Sequence, residues 1–182
     1  MIHVVTFGSS RVKPGEPTFE LALAAGRVLG RRGLCVVSGG YAGTMAAVSQ
    51  GVRETGGRSI GITTPVFQER EPNRNLDEIS SQPDYPARLA ALLRSGDLYL
   101  CFPGGLGTIS EWISAWCLAS IGQLSGELWC FHQPFQALAE SIARQEEVGA
   151  EQLARVLFLH DIADFERRID AWLARRADPE AL

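Results

Sequence analysis

The sequence predicts a doubly wound α/β fold, with a mainly parallel sheet of six to seven strands and helices on both faces. Three observations carry this. Short apolar runs rich in β-branched residues alternate with amphipathic helical patterns along the 182 residues. Two strand ends run straight into glycine loops that open helices, at residues 38–44 and 103–108. No internal repeat, low-complexity segment or linker divides the chain, so residues 1–182 read as one domain.

The elements follow in order. Residues 2–7 are an apolar, β-branched run and read as a buried first strand. Gly8, Ser9 and Ser10 form a turn of the kind that faces a ligand after the first strand of an α/β fold. Residues 11–17 are loop, Thr18 is the expected helix cap, and residues 19–30 are a helix with Leu21, Ala24, Ala25, Val28 and Leu29 on one face. Residues 34–37 are the second strand, and Ser38-Gly39-Gly40-Tyr41-Ala42-Gly43-Thr44 leads into a helix over 45–54. Residues 59–63 are the third strand, which completes a parallel β-α-β-α-β half. Residues 64–86, with four prolines, are irregular, and a connection this long is expected to be a lid or to face a substrate. A short helix over 87–95, a strand over 97–102, a helix over 106–121 and a strand over 128–131 come next. A helix over 134–146, a strand over 155–159, an amphipathic helix over 162–175 and a frayed tail over 178–182 complete the pattern.

Composition sets limits on function. Hydrophobic residues at 46% and charged residues at 21% give an ordinary globular balance. A net charge of -4 argues against a nucleic-acid binder built on a broad basic face. No apolar run approaches the roughly 20 residues that span a bilayer. The N-terminus shows no secretory signal pattern, so a cytoplasmic protein is expected. Cys35, Cys101, Cys117 and Cys130 make no C-x-x-C pair and read as small core residues in a reducing compartment. His3, His132 and His160 show no metal-ligand spacing, so no metal site is expected.

The chemistry concentrates in one stretch. The apolar run 98–102 stops at Pro103, and Gly104, Gly105, Leu106, Gly107 and Thr108 lead into a helix containing Glu111. Such a loop brings bare backbone N–H groups to an anion at a helix N-terminus, where the helix dipole also favours negative charge. In a doubly wound sheet the loops Gly8-Ser9-Ser10, Gly39–Thr44 and Pro103–Thr108 converge at the carboxyl edge. Neither glycine loop has the G-x-G-x-x-G spacing of a dinucleotide site, and there is no G-x-x-x-x-G-K-[ST]. A phosphate-bearing ligand without either signature is most simply a mononucleotide, and no cofactor is expected.

Pro103-Gly104-Gly105-Leu106-Gly107-Thr108-Ile109-Ser110-Glu111 resembles the P-G-G-x-G-T-x-x-E signature of the LOG ("Lonely Guy") family. These are cytokinin riboside monophosphate phosphoribohydrolases once labelled lysine decarboxylases. The resemblance extends to Gly8-Ser9-Ser10, to Ser38–Met45 and to Gly61-Ile62-Thr63, and so covers nearly the whole chain. It implies a Rossmann-like, usually dimeric protein in which Arg88 and Glu111 are catalytic. Departures mark a divergent bacterial branch: Leu89 follows Arg88 where the family has lysine, Ser114 replaces a second glutamate, and residues 64–86 are long and proline-rich.

The resemblance implies hydrolysis of the N-glycosidic bond of AMP or a cytokinin riboside monophosphate, with Glu111 stabilising charge on the ribose and Arg88 anchoring phosphate or base. Glu111 as a simple helix N-terminal charge is the competing reading of that residue. A non-catalytic nucleotide- or molybdopterin-type-ligand-binding protein of the same fold is the alternative function. A pyridoxal-dependent decarboxylase is a further class that the chemistry disfavours, since it would need a Schiff-base lysine and Lys13, in a proline-flanked loop, is the only lysine. The helix over 106–121 carries Ile109, Trp112, Ile113, Trp116 and Leu118, more apolar surface than one face needs, so a homodimer is expected.

Overall fold

The computed structural model describes residues 1–67, 70–144 and 148–177. Seven strands form one all-parallel sheet in the order β4-β3-β2-β1-β5-β6-β7. They are β1 (His3–Phe7), β2 (Cys35–Ser38), β3 (Arg58–Thr63), β4 (Glu78–Ser81), β5 (Leu98–Cys101), β6 (Glu127–Phe131) and β7 (Val156–Leu159). The helices are α1 (Pro17–Arg31), α2 (Thr44–Glu54), α3 (Tyr85–Arg94), α4 (Leu106–Ser120), α5 (His132–Ala143), α6 (Ala150–Leu153) and α7 (Ile162–Ala177).

The chain steps outward from β1 to β4, then returns to β5 on the other side of β1 and steps outward again. That reversal places helices on opposite faces. On one face α1, α2 and α7 bury Phe19, Leu29, Val48, Phe165 and Trp172 against Val4, Val36, Leu100 and Trp129. On the other face α3, α4 and α5 bury Leu92, Trp112, Trp116 and Phe135 against Val5, Val37, Tyr99 and Leu128. Alternate residues of one strand serve opposite cores, which is why β1, β2 and β5 read as unbroken apolar runs. The switch point between β1 and β5 is where a doubly wound sheet opens a crevice at its carboxyl edge.

Three expectations need correction. Pro17 occupies the first turn of α1 with Glu16 at the N-cap, so Thr18 lies inside the helix and caps nothing. Residues 64–86 are not wholly irregular: they hold a 3₁₀ turn at Pro65–Phe67 and the edge strand β4. α5 (His132–Ala143) has non-helical dihedrals at Gln133, so its regular part starts at Pro134 as expected. Cys35, Cys101 and Cys130 are buried, but Cys117 is exposed, because α4 turns Trp112, Ala115 and Trp116 inward and leaves position 117 outside. The expected end of α5 at 145–147 and the tail over 178–182 lie outside the described residues.

Among the described residues no helix is long and apolar enough to cross a membrane.

Candidate functional site

The loops after β1 and β5 flank a cleft of about 370 Å³ at the switch point. Of the residues expected there, Gly8, Ser9, Ser10, Gly105, Leu106, Gly107, Thr108, Arg88 and Glu111 line it. Gly39, Gly40, Gly43, Thr44, Pro103 and Gly104 do not; several of them shape the wall from behind. Thr44 donates from its backbone N (2.8 Å) and its hydroxyl (3.1 Å) to the carbonyl of Ser9. Gly43, at φ +72°, allows this approach, since a Cβ there would lie 2.1 Å from the same oxygen. A Cβ at Gly39 would stand 1.8 Å from Nη2 of Arg88, so only glycine leaves room for that guanidinium.

α4 starts at Leu106 behind Gly105, and no side chain caps it. The first-turn N–H groups have no partner within the helix, and they open onto the cleft at Gly105, Leu106, Gly107 and Thr108. Glu111 falls in the second turn, so it is not the helix's terminal charge. It turns instead toward Arg88.

α3 delivers Arg88. Asp84 caps that helix by accepting from Ala87 N at 2.8 Å, and Pro86 sits in its first turn. Arg88 is buried, donates from Nε to Ile62 O at 2.8 Å, and places Nη1 3.4 Å from Oε1 of Glu111. The pair ties α3, β3 and α4 together beneath the cleft. Burial pushes the Glu111 carboxyl up to about 7, and the adjacent Arg88 only partly opposes this. Glu111 therefore titrates near neutrality, and it is the one carboxylate on the cleft wall among the described residues.

The rest of the wall was not singled out from sequence: Arg11, Tyr41, Met45, Phe67, Arg70 and Tyr85. Tyr41 and Phe67 meet edge to face at 5.7 Å, and Phe67 meets Tyr85 the same way at 6.4 Å. The Arg88 guanidinium lies 5.8 Å from the centroids of both Tyr41 and Phe67. The Tyr41 hydroxyl donates to Thr64 O (2.9 Å) and accepts from Thr64 N (3.0 Å), which fixes the start of the segment bearing Phe67 and Arg70. The available signals were Tyr41 inside a glycine loop and two aromatics in a proline-rich connection. That connection does face the cleft, through Phe67, Arg70 and Tyr85. Among the described residues no cluster of His, Cys, Asp and Glu could hold a metal ion.

Chemically, the cleft offers unpartnered N–H groups for an anion, aromatic rings for a planar group, and a buried carboxylate on the same wall.

Residues 1–151 match the model of the SLOG cluster4 family. A cytokinin riboside 5'-monophosphate phosphoribohydrolase of Arabidopsis thaliana is 33% identical over 93 residues, 50% of this chain. The match spans only 41% of that relative's own length. A protein of the same name from Mycobacterium marinum is 24% identical over 152 residues, 80% of this chain and 81% of the relative. Among solved structures, the molybdenum cofactor binding protein of Rippkaea orientalis shares the fold with a TM-score of 0.73. It is 21% identical and the superposition covers 94% of this chain and 96% of that one.

Proposed function

This chain belongs to the SLOG cluster4 family, and on that premise we propose that it is a nucleoside 5'-monophosphate phosphoribohydrolase. It cleaves the N-glycosidic bond of AMP or a cytokinin riboside monophosphate to free base and ribose 5-phosphate. The observation that carries this reading is the buried Arg88–Glu111 pair one turn beyond an uncapped helix N-terminus on the same cleft. The names of the plant and mycobacterial relatives support the reaction class.

In this reading the phosphate sits on the N–H groups of Gly105, Gly107 and Thr108, with Gly8, Ser9 and Ser10 on its other side. The ribose then lies over Glu111. As the bond between C1' and the base nitrogen lengthens, positive charge grows on the ribose, and the Glu111 carboxylate stabilises it. Water adds at C1' and gives its proton to Glu111, while the base leaves with the bond pair and takes up a proton from solvent to become the neutral free base. Arg88 stays protonated, so it is no proton donor. It holds the carboxylate in place and lends the cleft positive charge. The aromatic wall of Tyr41, Phe67 and Tyr85 is the surface for the base.

Chromatography of the protein incubated with a panel of nucleoside monophosphates tests the reaction. Free base and ribose 5-phosphate are expected. Intact nucleotide recovered in full, together with measurable binding, would instead assign the second reading, a binding protein without turnover.

The assembly is proposed to be a two-fold homodimer. α4 carries apolar residues on more than one face, and beyond the buried Trp112 and Trp116 it leaves Leu106 83% exposed, with Ile121 just past its end 64% exposed. A second copy covering this stripe is expected to double the mass to about 40 kDa at micromolar concentration, given 19.8 kDa per chain. A monomeric mass by solution scattering would sink the dimer and leave the rest intact.

A further inference from the structure

The cleft does not end at the phosphate position. Past Ser10 and Tyr41 it continues into a second recess of about 310 Å³, lined by Ser10, Arg11, Tyr41, Ala42, Arg70 and Glu71. Ser10, Arg11, Tyr41 and Arg70 line both spaces, so the two arginines stand at the junction. Arg70 is held there: Nη1 donates to the Ser10 hydroxyl at 3.4 Å, and its guanidinium lies 4.8 Å over the Phe67 ring. Among the described residues neither Arg11 nor Arg70 forms an ion pair, whereas Arg27, Arg32, Arg58 and Arg88 each have a carboxylate. Glu71 also lines the recess, and two arginines against one carboxylate leave it net positive. In a chain of net charge -4 this is a local excess of cation beside an anion site.

Resting on the reading that the α4 N-terminus takes a nucleotide's phosphate, we propose that Arg11 and Arg70 form a second anion subsite. It takes a further phosphoryl group joined to the first, so the ligand class extends to nucleoside 5'-diphosphates and their conjugates. With C1' over Glu111 and the phosphate at Gly107, a substituent on that phosphate runs away from Glu111, toward Ser10. There it meets two guanidinium groups, whose planar forks match phosphoryl oxygens bidentately. The extension leaves the N-glycosidic bond in the same place over Glu111.

Isothermal calorimetry with ADP and AMP, on wild type and on R11A/R70A, tests the subsite. Both arginines are exposed, so the double variant keeps its fold, and a thermal melt checks this. Wild type is expected to bind ADP about tenfold or more tighter than AMP, the scale of added hydrogen bonds to a charged group. In R11A/R70A that ratio is expected to fall to near one. A wild-type ratio at or below one, a ratio that survives in R11A/R70A, or no binding of either nucleotide overturns the proposal. The outcome separates from the hydrolase reading. AMP bound but never cleaved sinks the hydrolase alone, because the affinity ratio still reports the subsite. AMP cleaved with no preference for ADP sinks the subsite alone.

Discussion

Glu111→Gln is expected to slow turnover of a nucleoside monophosphate about a hundredfold or more, the scale for losing one preorganised electrostatic contact at a developing charge. Glutamine keeps the shape and leaves an amide oxygen for Arg88 Nη1, now 3.4 Å from the carboxylate. The negative charge is lost, and with it the acceptor for the proton of the attacking water. Substrate affinity should change little, because the charge matters mainly in the transition state. The wild-type pH profile carries the same signature. Burial raises the Glu111 carboxyl to about 7, so the ionised form is lost as pH falls through that value. The wild-type kcat/KM should therefore climb between pH 6 and 8, and the glutamine variant should lack this limb. Arg88→Ala should behave differently, weakening both binding and rate, since it strips positive charge from the cleft and strands a buried carboxylate. Steady-state kinetics decide. Equal rates for wild type and Glu111→Gln would reduce Glu111 to a structural partner of Arg88.

The second large effect is expected from Gly107→Val. Gly107 lies on the cleft wall, and a Cβ built there meets nothing within 4 Å. The folded chain thus accepts a Cβ there, and valine is a somewhat better helix former than glycine, so the helix is not weakened. The same side chain fills the space in which a phosphate would approach the N–H groups. Losing two such charge-assisted contacts, at about 1.5–3 kcal/mol each, takes AMP binding down at least a hundredfold. Calorimetry should then register no binding while the melting temperature stays within a few degrees of wild type. Nucleotide affinity that survives Gly107→Val moves the phosphate site elsewhere.

Most of the sheet was legible because its strands are buried on both faces and therefore read as continuous apolar runs. β4 was not. Its sequence, Glu-Ile-Ser-Ser, is exposed at the sheet edge, with Ile79 52% exposed. What holds it is pairing to β3 and the grip of Asp77 on Ser59 N at 2.7 Å, neither of which leaves an apolar pattern. The glycine loops were legible because the turn chemistry is local. That Arg88 reaches Glu111 was not, since the two meet only when α3 and α4 pack on one face of the sheet. The aromatic wall was hidden for the same reason, with Tyr41, Phe67 and Tyr85 coming from three separate elements. Cys117 was misjudged because α4 carries apolar residues on more than one face, so its sequence does not say which side faces in.

Three of the contacts that pin the connection between β3 and α3 flank the run 65–72. The Tyr41 hydroxyl brackets Thr64, Asn73 donates from its backbone N (2.8 Å) and its side-chain amide (3.2 Å) to Gly40 O, and Gln82 N donates to Thr63 O at 2.8 Å. All three anchors are backbone-facing and lie outside the run 65–72. That run supplies Phe67 and Arg70 to the cleft, and none of its described residues pairs in the sheet. It is therefore a cassette. Its residues can be exchanged by drift, or by an engineer's randomised library, and the ligand preference retuned while the seven strands and the glycine loops keep their places.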